Sequence, residues 1–212
     1  SGADIINLSL GGPYPDNGTL NALEYAISKG CWVVCAAGND GRPSKSFPGH
    51  YPSSLATVAT DNNGRRASFS TINEENDVSA PGVNIFSALP GGRYGTYSGT
   101  SQASPAVSGC LALVRGELKR LNLTIPSQVG IVDAIRRTSK DILPSGHDNE
   151  TGYGLINVEG LLKDLIPTQP PVFPFPLPPT DGLQFNKEDF SESGWKKAKL
   201  ILGDLGLITL KQ

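Results

Sequence analysis

Apolar and polar positions alternate along this chain in two distinct rhythms. Ala3–Leu10 and Trp32–Ala37 are near-continuous apolar runs, closed by Gly11-Gly12-Pro13 and by Gly38-Asn39. Strands of this kind belong to sheets covered on both faces, which are parallel. Between them Asp16–Thr19 reads as a turn, and Leu20–Ser28 has helical periodicity with Gly30 as its stop. Strand, helix, strand in that order implies a right-handed βαβ unit. Ligands of such sheets bind beyond the carboxyl ends of the strands, so Ser9-Leu10-Gly11-Gly12 and Ala37-Gly38-Asn39 are expected to line one crevice. Downstream, Leu55–Thr60, Arg66–Ser70 and Val83–Leu89 read as short strands, and Arg93–Ser98 as a polar loop. Ser127 is placed to cap a helix running to Arg137, and Val158–Leu165 predicts a last short helix.

The longest helical signal is the small-residue run Ala103–Val114, with apolar residues at 103, 106, 107, 110, 111 and 114. It is apolar nearly all round, which predicts burial. Pro105 is expected in its first turn, where a missing N–H costs nothing. Ser101 then stands at the helix N-terminus, whose unpaired N–H groups and positive dipole end favour developing negative charge. That suits a nucleophilic hydroxyl. Equally, Thr100 or Ser101 could simply cap a core helix.

The stretch Gly99-Thr100-Ser101-Gln102-Ala103-Ser104-Pro105 resembles the nucleophile motif G-T-S-x-A-S-P of subtilisin-like serine proteases. Ile5–Gly12 resembles that family's substrate-binding strand, and Val33-Val34-Cys35-Ala36-Ala37-Gly38-Asn39-Asp40 its oxyanion segment. Asp77–Gly82 and Gly152–Asn157 match in order and spacing too. Five ordered motifs, reaching to about Leu165, are a far more specific signal than one. The resemblance implies an α/β architecture: the C-terminal portion of a three-layer fold, with a mostly parallel sheet and a buried central helix carrying the nucleophile. It implies a serine endopeptidase in which Ser101 attacks the peptide carbonyl and Asn39 helps bind the oxyanion. Asn39 in Gly38-Asn39-Asp40-Gly41 also fits an ordinary turn residue. Substrate would pair with the backbone of Ser9, Leu10 and Gly11, with Ala36, Ala37 and Gly38 as a wall of the pocket. Asp40, at the rim, would favour a basic side chain or merely be a solvated turn carboxylate.

A serine nucleophile needs a general base oriented by a carboxylate. The family's D-[ST]-G and H-G-T motifs do not occur in these 212 residues, and neither His50 nor His147 matches the family's histidine. The expected partner is therefore an N-terminal half of the same protease carrying that Asp and His. A polypeptide substrate, inhibitor or propeptide is the other expected partner. A sheet lacking those strands would expose an edge. The competing reading is a catalytically inactive relative that keeps the groove for peptide binding; loss of Ser101 or Asn39 would favour it, and both are present.

Composition adds limits. A charged fraction of 18% and an apolar fraction of 38% suit a soluble globular protein, and a net charge of −2 gives no sign of nucleic-acid binding. No apolar run approaches the ~20 residues of a membrane span. Cys31 and Cys35, roughly 13 Å apart along a strand, are too distant to bridge; Cys35 and Cys110 read as small core residues. No Cys/His spacing suggests a metal ligand set; calcium is expected only for the whole domain, by resemblance. Sequons at Asn7, Asn17, Asn122 and Asn149 leave the compartment open, with a slight lean to the secretory route. Residues 1–166 are expected to form the catalytic-domain portion. Residues 167–180, with seven prolines between Pro167 and Pro179, read as a stiff linker or a proline-rich ligand, and 181–212 as an extension of unknown role.

Overall fold

The computed structural model describes residues 2–142 and 146–167. The linker beyond Pro167 and the extension 181–212 lie outside them. Four parallel strands form the main sheet in sequential order: β1 (Ile5–Leu8), β2 (Trp32–Ala36), β3 (Leu55–Thr60) and β4 (Asn76–Pro81). Helix α1 (Asn17–Ser28) crosses from β1 to β2. Asp16, expected in a turn, is instead its N-cap, accepting from the Thr19 N–H at 2.6 Å.

β2 shows why an unbroken apolar run was needed. Its side chains alternate between faces: Trp32 and Val34 join the core under the later helices, whereas Val33 and Cys35 pack with Leu23 of α1 and Tyr51. The result is three layers. On the first face lies α2 (Thr100–Arg120) with α3 (Gln128–Thr138) and α4 (Val158–Leu165). Ser127 caps α3 as expected, and the buried Gln128 amide bridges both the N–H and the C=O of Val33 at 3.0 Å.

Three expectations need correction. Arg66–Ser70 is no strand; only Arg66 bridges Thr60, and the rest turns back so that Ser70 Oγ can bond Ala59. Arg93–Ser98, read as a loop for its polarity, supplies β6 (Arg93–Tyr97), paired antiparallel with β5 (Ile85–Leu89). An exposed hairpin has no covered face, so it lacks an apolar alternation to betray it. Finally, α2 is not buried all round. Ala103, Val107, Leu111, Val114 and Leu118 are fully covered, but Ala106, Ala112 and Leu113 face outward and Cys110 is only half-buried.

The sheet's two edges differ. Along β4, Gly154 and Ile156 exchange hydrogen bonds with Ser79, at 2.8 and 3.0 Å, and cover that edge. Along β1, no strand pairs with the outer edge among the described residues.

Candidate active site

The parallel register brings the carboxyl ends of β1 and β2 together with the start of α2. A cavity of about 270 Å³ opens there, lined in part by Leu10, Gly11, Ala36, Gly38, Asn39 and Ser101. Two predicted residues do not line it. Ala37 is fully buried, its N–H donating to the Thr57 carbonyl. Ser9 adjoins it through Ser101, whose Oγ donates to the Ser9 carbonyl at 3.3 Å.

Asn39 is oriented by geometry that leaves one choice. Its Oδ1 accepts from the Thr100 N–H at 2.9 Å and from Thr100 Oγ1 at 3.0 Å. A backbone N–H can only donate, so the amide oxygen faces Thr100 and Nδ2 is left a donor without an acceptor among the described residues. Thr100 Oγ1 in turn accepts from the Gly38 N–H at 3.2 Å. Asn39 and the first turn of α2 are thereby one hydrogen-bonded unit. Ser101 occupies that turn, where an amide has no intrahelical acceptor.

Backbone shape keeps the cavity open. Gly38 has φ +104°, and a Cβ there would stand 2.7 Å from both Ser46 Cβ and Thr71 Oγ1. Only glycine fits. Ser46 and Lys45, which also line the cavity, escaped the sequence reading because they lie in a Gly/Pro-rich stretch without periodicity. Thr100 was inside a quoted motif, but its role depends on a contact 61 residues away in sequence. Asp40 does reach the cavity; its Oδ2 accepts from Ser44 Oγ at 2.5 Å.

Neither histidine lines this cavity. His50 is buried edge-on against Phe47, its Nε2 3.9 Å from Glu74. His147 Nε2 meets the Asn76 carbonyl at 2.8 Å, its ring against Tyr153. Burial pushes the Cys35 thiol up to about 12, and the carboxyl of Asp77, at the opposite end of the sheet, up to about 7. All three cysteines are free. Among the described residues, no group of three or more His, Cys, Asp or Glu could hold a metal ion, and no helix is long and apolar enough to cross a membrane.

A parallel α/β sheet whose strand ends meet a helix-borne serine and a free carboxamide defines the class. Within that class the chain belongs to the subtilase family, whose model matches residues 1–154. It is 41% identical to Subtilisin NAT of Bacillus subtilis subsp. natto over 160 residues, covering 74% of this chain and 40% of that protein. It is 46% identical to Subtilisin of Bacillus pumilus, covering 74% and 55% respectively. The chain thus spans about half the length of these relatives. Among solved structures it resembles the prenylagaramide maturation protease PagA, with a TM-score of 0.70 and 27% identity over 77% of this chain and 62% of that one.

Proposed function

We propose that this chain carries the nucleophile-bearing part of a serine endopeptidase. Ser101 Oγ adds to the scissile carbonyl and loses its proton to a general base. The oxyanion is received by Asn39 Nδ2 and the Ser101 N–H. Collapse expels the amine, which takes the proton from that base, and water then cleaves the acyl-enzyme by the same steps. An extended substrate runs along Ser9-Leu10-Gly11, with the side chain before the cleaved bond in the cavity. The observation that carries this reading is the Thr100–Asn39 pairing, which leaves a carboxamide N–H₂ free beside the electropositive start of α2.

The base and its orienting carboxylate come from a segment outside this chain, the N-terminal part of the same protease. Two features support this. No histidine lines the cavity among the described residues. No strand pairs with the outer edge of β1 among the described residues.

Labelling with a fluorophosphonate tests the proposal. Ser101 should label in the chain joined to or mixed with its N-terminal segment, not in the chain alone, and Ser101→Ala should abolish labelling. No labelling of the assembled protein would overturn the endopeptidase and leave a peptide-binding module.

A further inference from the structure

Pro105 lies in the second turn of α2, not the first, and this changes its meaning. In an α-helix the N–H of residue 105 would donate to the carbonyl of residue 101. Proline has no N–H. The carbonyl of Ser101 is therefore stripped of its helical partner one residue's breadth from the nucleophilic hydroxyl.

A side chain from another element takes the vacant place. Ser9 Oγ donates to the Ser101 carbonyl at 2.9 Å. Because Ser101 Oγ donates to the Ser9 carbonyl, the two serines clasp each other across the gap between the end of β1 and α2. The Ser9 hydroxyl is itself held. It accepts from Asn7 Nδ2 at 2.8 Å and lies 3.0 Å from Ser104 Oγ. Ser104 Oγ donates to Asn7 Oδ1 at 2.7 Å, and Ser108 Oγ reaches the same atom at 3.1 Å. Each hydroxyl has one proton to give; with that of Ser104 on Asn7 and that of Ser9 on the Ser101 carbonyl, the bonds run from the Asn7 amide to the Ser9 hydroxyl to the Ser101 carbonyl. Aligned bonds of this kind strengthen one another.

We propose that Asn7, Ser9 and Ser104 form a positioning network that replaces the hydrogen bond deleted by Pro105 and sets Ser101 for attack. Asn39 holds Ser101 from the amide side through Thr100, and Ser9 holds it from the carbonyl side. The inference rests on the endopeptidase reading above. The role of Ser9 in it belongs to its side chain, separate from the backbone pairing expected with substrate. It also accounts for an asparagine in a strand otherwise built of Ile5, Ile6 and Leu8.

The test uses the protein assembled with its N-terminal segment. Ser9→Ala should slow acylation by a fluorophosphonate and lower kcat by about three- to tenfold with KM nearly unchanged, the range of one hydrogen bond. Ser9→Thr, which keeps the hydroxyl, should recover most of that loss. The decisive variant is Pro105→Ala, which restores an N–H aimed at the Ser101 carbonyl. In that background Ser9→Ala should cost less than about twofold. Should Ser9→Ala be poorly folded, Ser104→Ala gives a second reading, with a smaller loss in kcat expected. An unchanged kcat in the serine variants, a loss confined to KM, or an equal loss with and without Pro105 overturns the network. If the unmutated assembly itself fails to label, the endopeptidase reading has failed, and the network falls with it.

Discussion

The two edges of the central sheet pose the same physical problem and meet it differently. At β4, Gly154 and Ile156 close the row of unpaired backbone groups with direct hydrogen bonds to Ser79. At β1 nothing among the described residues does so, and beside it Ala112 of α2 and Leu10, 57% exposed just past the strand, stand open too. An uncovered strand edge beside exposed apolar side chains is a surface built for pairing. The covered edge belongs to a finished core, and the open one to an interface that the endopeptidase reading assigns to the N-terminal segment. The cavity lies at the border between the two regimes.

The sharpest way to break this contrast acts at that border. Ser101→Ala in the assembled protein should remove fluorophosphonate labelling and peptide hydrolysis altogether. Asn39→Ala should lower kcat about 10²–10³-fold with little change in KM, a magnitude known from subtilisin itself and not inferred from the present geometry. A loss below tenfold would mean that the free carboxamide does not meet the oxyanion.

Stability measurements separate the finished side from the open one. Leu111→Ala, on the covered face of α2, should cost about 2–5 kcal/mol in urea unfolding. Leu113→Ala, two residues on and 66% exposed, should change the stability of the chain by less than about 0.5 kcal/mol. Equal costs for the two leucines in the isolated chain would erase the distinction.

A smaller effect comes from the far end of the sheet. Desolvation raises the Asp77 carboxyl from its ordinary 3.8 to about 7, against the Ala56 N–H that donates to it at 2.8 Å. A raised pKa means that the folded state binds this proton more tightly. The associated stability is full below about pH 4 and is lost as pH rises through about 7. Asp77→Asn, which keeps an acceptor for Ala56, should therefore gain on the unmutated chain at pH 8, by no more than a few kcal/mol, with the advantage vanishing below pH 4. Thermal unfolding against pH reads this directly; a pH-independent difference would contradict it.

Much of the arrangement was legible beforehand for a local reason. The buried strand at Trp32–Ala37, the helical stretches Leu20–Ser28 and Ser127–Arg137 and the motif around Ser101 are all written as short-range periodicity or contiguous residues. The β5–β6 hairpin was not, because exposed strands carry no apolar alternation. Ser46 was not, because it reaches the cavity only when its loop folds back beneath Gly38.

From its residues alone the chain determined its helices and the buried strands β1 to β3, that the sheet is parallel, and that Ser101 sits near a helix start. Those properties follow from side-chain spacing and from the conformations that glycine and proline allow. Tertiary structure alone decided the rest: which face of α2 is covered, which end of the Asn39 amide is free, and that Ser9 stands in for the N–H missing at Pro105. Each of these depends on a hydrogen bond or a contact between residues tens of positions apart, a distance over which periodicity carries no information.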